Sequence, residues 1–158
     1  MEKQSIATYF EADHDRLDGL FKQFQASKRS DFARAKDCFR QFMIGLQQHI
    51  IWEEEILFPI FEGKTAMKKT GPTEVMRSEH RQIRDFLEAI HRKVQHQDPE
   101  SNTEESGLLE VLGSHNQKEE QILYPMIDRL LDNQERQAIF MRMKTTSVEE
   151  LDSCCSGH

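Results

Sequence analysis

Apolar side chains return every three or four residues along most of this chain, the period of a helix that buries one face. Ile6, Phe10, Leu17, Phe21 and Phe24 predict a first helix over about 5–27, with His14 inside the same stripe. Ala35, Phe39, Phe42, Leu46, His49, Glu53, Ile56 and Ile60 carry the spacing through a second helix, which Ser30 or Asp31 can cap. Pro59 has no N–H for the preceding turn and should kink or close that helix. Gly63 and the stretch 64–71, with Lys68 and Lys69, form a connection, and Gly71-Pro72 with Glu74 opens a third helix with proline at its first position. Its seam is Met76, His80, Ile83, Leu87, Ile90 and Val94. After the break at Gln97-Asp98-Pro99-Glu100, Ser101 and Glu104 offer a capping box for a fourth helix with Leu108, Leu112, His115, Glu119, Ile122, Met126 and Leu130 on its seam. Asp132 and Glu135 make a second capping signature for a shorter helix over about 133–143, whose apolar residues are Ile139, Phe140 and Met143. The pattern predicts an all-α protein. Its form is an antiparallel up-down-up-down four-helix bundle with an additional short C-terminal helix over 1–146, then a flexible tail over 147–158. The fifth helix either closes one end of the bundle or packs in a dimer.

Histidines and carboxylates in the seams change the picture. The string His49-Ile-Ile-Trp-Glu53-Glu54-Glu-Ile56-Leu57-Phe58-Pro59 returns as His115-Asn-Gln-Lys-Glu119-Glu120-Gln-Ile122-Leu123-Tyr124-Pro125, at a constant offset of 66 (115 − 49). His14 and His80 keep the same offset, each 35 residues before the histidine of its half. Such self-similarity marks two equivalent halves. A histidine and a glutamate four apart share one helix face, so two such helices plus one histidine from each of two others can hold a pair of transition metals in a bundle core. A lone inward histidine is more often a hydrogen-bonded core residue, and a lone His-x-x-x-Glu an ordinary surface ion pair; the doubled set with equal spacings argues for metal. An unpaired carboxylate at seam position 53 would cost several kcal/mol, roughly, unless a cation sits beside it. Glu54 lies five residues after His49, roughly 140° round the helix, and is expected at the surface or in an outer supporting role. His91 lies roughly 16 Å beyond His80 along its helix, too far to share the pair, and His96 is expected in solvent.

The arrangement of His14, His49-x-x-x-Glu53-Glu54-x-x-Leu57-Phe58-Pro59, His80 and His115-x-x-x-Glu119-Glu120-x-x-Leu123-Tyr124-Pro125 resembles the hemerythrin-like, or HHE cation-binding, family over about the first 130 residues. The resemblance implies two iron ions in an oxo- or hydroxo-bridged di-iron centre, with His14, His49, His80 and His115 as terminal ligands and Glu53 and Glu119 as bridges. Manganese or zinc suits the same donors, because ligand type discriminates poorly among first-row ions. Four residues after His80 stands Arg84 where the oxygen carriers show a fifth histidine, so the chain is closer to bacterial members with a symmetric four-histidine set. The cysteine-bearing N-terminal domain of the iron-centre repair proteins is absent from this sequence. The repeat sets Asp18 against Arg84. Two arrangements are open: both turn outward into solvent, or they pair across the core in place of a ligand.

Composition narrows the rest. The 158 residues make one domain, 37% hydrophobic and 31% charged, with no run long enough to span a membrane. A formal charge of −7 argues against nucleic acid or anionic lipid as the main partner. The N-terminus shows no basic-then-apolar signal, so the expected compartment is cytoplasmic. Cys38 inside a helix and Cys154-Cys155 in the tail do not form a disulfide framework; with His158 the tail pair has the chemistry for a soft metal or for oxidation, and the bland alternative is a frayed terminus. A monomer or homodimer is expected. Three function classes stay open: a module that binds dioxygen or nitric oxide for sensing, storage or carriage; a di-iron redox enzyme or iron donor in the stress response; and a metal-responsive structural domain. No general acid, nucleophile or substrate cleft is legible.

Overall fold

Each predicted apolar stripe is helical in the computed structural model, which describes residues 4–67 and 71–146. The elements are α1 (Ile6–Ser27), α2 (Phe32–Trp52), a π-helical turn (Glu53–Leu57), α3 (Phe58–Thr65), α4 (Pro72–Gln95), α5 (Asn102–Lys118), a second π-helical turn (Glu119–Leu123), α6 (Tyr124–Leu130) and α7 (Asn133–Thr145). No strand occurs among the described residues. The expectations for Lys68, Lys69 and the 147–158 tail with Cys154, Cys155 and His158 fall outside them.

Helix starts follow local chemistry. Ser5 accepts from the Thr8 N–H, Asp31 rather than Ser30 caps α2, Gly71 precedes Pro72 at the first turn of α4, and Asp132 with Glu135 forms a reciprocal capping box for α7. Ser101 is the N-cap of α5, but the capping box with Glu104 does not form: its hydroxyl turns to Glu105, a competing acceptor one residue further on. The start of α1 has a second anchor, since the Ile6 and Ala7 N–H groups donate to the two oxygens of Asp128 at 2.9 and 3.0 Å. That carboxylate satisfies two of the donors every helix leaves unpaired at its N-terminus.

Pro59 and Pro125 neither stop nor sharply break their helices. The chain instead widens for one turn: Phe58 donates to the Glu53 carbonyl and Tyr124 to the Glu119 carbonyl, five residues back instead of four. This absorbs the missing N–H and the ring of the proline. It also shifts the phase of the buried stripe by one residue. From the last residue of each turn onward the buried apolar positions are Leu57, Phe58, Phe61, Leu123, Tyr124, Ile127 and Leu131, while Ile60, Met126 and Leu130 are only partly buried.

The expected seam position of Ile122 is a correction: the residue is 53% exposed. Its repeat mate Ile56 is buried because it joins a cluster with Ile139 and Met143 of α7, and α7 has no counterpart over Ile122 among the described residues. Ile122→Thr should therefore change stability by no more than about 0.5 kcal/mol, whereas Ile56→Thr should cost about 1–3 kcal/mol. Equal losses in urea unfolding of the two variants would contradict this assignment.

The interior has two apolar clusters. One spans Leu17, Phe21, Phe24, Phe39, Phe42, Leu87, Ile90 and Leu108; the other spans Ile6, Phe10, Leu57, Phe61, Met76, Leu123 and Ile139. Along α1, His14 stands between Phe10 of one cluster and Leu17 of the other, and along α4, His80 stands between Met76 and Ile83. The inward histidines and carboxylates thus form a polar layer between two greasy ones. At the far end of the first cluster lies a buried ion pair, Lys28 Nζ with Glu105 Oε2 at 2.6 Å, completed by Asn102, Ser101 and Gln25. It ties the end of α1 to the start of α5.

Candidate metal centre

Six side chains converge in the polar layer. His14 comes from α1, His49 from α2, His80 from α4 and His115 from α5, while Glu53 and Glu119 open the two π-helical turns. Glu53 and Glu119 have no solvent exposure, and all four imidazoles are buried. Nε2 of His80 is 3.1 Å from Glu53, Nε2 of His115 is 3.3 Å from Glu119, and Nε2 of His14 is 3.2 Å from Glu119. His49 Nε2 is 3.7 Å from Glu53. Potential donor atoms of Glu53, His80, His115 and Glu119 lie within 4.8 Å of one another, and so do those of His14, His49 and Glu119. Two adjacent groups share Glu119. Its Oε2 is buried without a hydrogen-bond partner. A fully buried carboxylate oxygen left unpaired is costly, and imidazole nitrogens with carboxylate oxygens are the donors a transition-metal ion takes, so the residues fit the implied ions.

Each histidine is held from behind by another carboxylate. Asp13 accepts from His49 Nδ1 at 2.8 Å, Glu54 from His80 Nδ1 at 2.6 Å, Glu79 from His115 Nδ1 at 2.9 Å and Glu120 from His14 Nδ1 at 2.7 Å. The helper is always on a neighbouring helix, so the four contacts link α1 to α2, the turn after α2 to α4, α4 to α5, and the turn after α5 back to α1. A carboxylate acceptor at Nδ1 keeps a proton there and aims Nε2 at the centre, the arrangement that orients metal-binding imidazoles. Asp13 and Glu79 are repeat mates, as are Glu54 and Glu120. The expectation of an outer role for Glu54 holds in this form. Asp13 and Glu79 were missed in the sequence; the signal for them was the 66-residue offset they share and their place directly before His14 and His80.

The pairing of Asp18 with Arg84 across the core does not occur. Asp18 pairs with Lys22 at 3.0 Å on the exposed face of α1, and Arg84 pairs with Glu54 at 3.1 Å. Desolvating both ions would cost more than a nearby partner in water demands. Arg84 thereby braces the carboxylate that holds His80. His91 stacks on Phe39, away from the site, and His96 is exposed.

Charge at the centre is balanced by protons wherever cations are missing. Burial alone would lower the His49 value, but the Glu53 carboxylate and the Asp13 hydrogen bond outweigh it and raise His49 to about 10. His115 goes to about 9 for the same reason, with burial opposed by Glu119. Burial would raise the Glu53 carboxyl, yet the facing His49 holds it well below the usual range.

One side chain at the centre breaks the repeat. Tyr124 Oη is 2.7 Å from Glu53, 2.9 Å from Glu119, 3.2 Å from His49 Nε2 and 3.3 Å from His14 Nε2. Its mate Phe58 instead stacks on His80 with ring centres 5.8 Å apart. In an α-helix a residue five after Glu119 would point about 140° away; the wider turn brings it back to the same face. Regular-helix reasoning therefore missed Tyr124, and the signals were the downstream proline and the Phe-to-Tyr difference between the halves.

A family model, the hemerythrin HHE cation binding domain, matches residues 5–139. No curated protein and no solved structure matches the chain at a significant level.

Proposed function

The chain belongs to the hemerythrin HHE cation-binding family, and from that premise we propose that it holds two iron ions and binds an uncharged diatomic ligand, dioxygen or nitric oxide, for sensing, storage or carriage. In this reading His14 and His49 serve one ion, His80 and His115 the other, and Glu53 and Glu119 are shared between them, the four-histidine pattern of the bacterial members. The long helices run up-down-up-down, a course supported by the short connections at 28–31 and 96–101. The observation that carries the proposal is the convergence of four Nε2 atoms on two fully buried carboxylates, one oxygen of which has no partner.

When bound, the iron pair would supply the coordination position and electrons that hold a diatomic ligand. The chain supplies orientation through Asp13, Glu54, Glu79 and Glu120, and exclusion of water through Phe10, Leu17, Leu46 and Ile83, all buried. Metal analysis after anaerobic reconstitution, followed by an absorption spectrum before and after exposure to each gas, tests it. Two metals per chain and a spectrum that reverts when the gas is removed are expected. Fewer than one metal per chain, or no spectral response to either gas, would overturn the reading.

The proton balance gives a pH prediction. His49 and His115 have folded values of about 10 and about 9 against an ordinary 6.5, so in the metal-free protein their stabilisation is full below about 6.5 and is lost as pH rises through 9 to 10. Asp13, Glu53, Glu54 and Glu79 are shifted downward, so their contribution is lost instead as pH falls below the ordinary carboxylate range. The thermal midpoint of metal-free protein should peak between these limits and decline on the alkaline side. Metal affinity should move the other way, rising between about pH 6 and 8, because an imidazole gives up its Nε2 proton to take a metal. Competition titrations across that range check it, and a flat affinity would count against these histidines as ligands.

A further inference from the structure

The sequence repeat makes the two halves of the centre look equivalent, but three differences fall on the same side. A cavity of about 220 Å³ opens beside His14, walled by Leu17, Phe21, Phe42, Leu46 and Leu112 and floored in part by Gly113. The repeat mate of Gly113 is Gln47, so the His14 side has no side chain where the other half carries one. Next, Arg84 is clasped to Glu54 behind His80, whereas its mate Asp18 faces away to Lys22 and lines the cavity. Finally, the hydroxyl of Tyr124 reaches His14 and His49, whereas Phe58 lies flat against His80 and offers no hydrogen bond.

Tyr124 Oη has one hydrogen and lies within bonding distance of both Glu53 and Glu119. Once those carboxylates serve cations, a buried donor is left in want of an acceptor, an unfavourable state that an incoming ligand atom relieves. The mouth of the cavity carries Asp15, Asp18 and Glu120, which disfavour anions, and the apolar walls suit a neutral gas. His14 is the wall the cavity shares with the centre.

We propose that this cavity is the entry route for an uncharged diatomic ligand, that the ligand is taken on the His14 and His49 side, and that Tyr124 is the positioning residue that donates a hydrogen bond to it. The inference rests on the reading of the centre as a metal pair that binds such ligands.

The test uses two variants with opposite kinetic signatures. A Cβ added at Gly113 would meet nothing within 4 Å, so the position has room for a side chain to start, and Gly113→Leu is the variant chosen to fill the cavity. In metal-loaded protein it should slow nitric oxide association by roughly ten-fold or more with metal content and thermal midpoint unchanged, and it should abolish the binding of xenon, which reports the cavity without any metal. Tyr124→Phe should leave association unchanged and speed dissociation by about ten-fold, the loss expected for one buried hydrogen bond. Equal association rates in wild type and Gly113→Leu would overturn the route, and equal dissociation rates in wild type and Tyr124→Phe would overturn the donor. A phenolate-to-metal absorption band that vanishes in Tyr124→Phe would also overturn the donor by making the tyrosine a ligand. Metal-loaded wild type that takes no nitric oxide would overturn the functional reading itself, an outcome distinct from wild type that binds the gas by another path.

Discussion

Glu53→Ala should lose most of the bound metal and with it the stabilisation that metal confers, whereas Glu54→Ala should retain metal at an affinity about 10- to 100-fold weaker. The two carboxylates are adjacent in sequence and opposite in situation. Glu53 is fully buried and lies within reach of His49, His80 and Tyr124, so in the proposed reading its removal takes a shared donor from the centre. Glu54 touches His80 from behind, at Nδ1, and is partly in solvent; without it the imidazole keeps its place in the packing but loses a constraint on its orientation. A ligand at a thousand-fold excess over its Kd stabilises a native state by about 4 kcal/mol, so the thermal midpoint of wild type should rise clearly on loading. The rise should survive in Glu54→Ala and vanish in Glu53→Ala. Metal stoichiometry and paired melting curves with and without iron decide the matter. Equal metal loss in both variants would mean that the face assignment is wrong.

Lys28→Ala should destabilise the protein by about 3–5 kcal/mol, and Glu105→Ala by a similar amount, without changing metal content. Both side chains are almost wholly buried, and each single change strands the other charge where water cannot reach it. For a chain of this length the loss corresponds to a drop of about 6–20 °C in thermal midpoint. Site and pair are far apart: Lys28 follows His14 by 14 residues, roughly 21 Å along α1. The double variant Lys28→Met, Glu105→Leu should recover most of the loss, because two apolar side chains of similar size leave no unpaired ion. A double variant as unstable as the two single changes combined would show that the ion pair itself, with its Asn102 and Gln25 contacts, is favourable beyond the avoidance of a stranded charge.

Helix positions, caps and the six converging residues were legible because they depend on local regularities. A three-four apolar period fixes which face turns inward as long as the helix is regular, and it placed His14, His49, Glu53, His80, His115 and Glu119 in the seams where the structure has them. Where regularity stopped, so did the reading. Pro59 was expected to kink or close its helix; the wider turns before Pro59 and Pro125 instead carry the chain on and slip the stripe by one residue, which brought Tyr124 in.

By itself, then, the sequence determined that the chain is helical, that it consists of two equivalent halves, and which histidines and glutamates face the interior, since each of these follows from spacing within a single helix. Tertiary structure alone decided what depends on two helices meeting. It selected the carboxylate behind each imidazole, sent Arg84 to Glu54 and Asp18 to Lys22, buried Lys28 against Glu105, and covered Ile56 with α7 while leaving Ile122 bare. It also made the halves unequal. Periodicity specifies the direction of a side chain around its own axis, but the partner it meets depends on how neighbouring helices pack, and a symmetric repeat closed by one unrepeated helix and one tyrosine cannot remain symmetric in space.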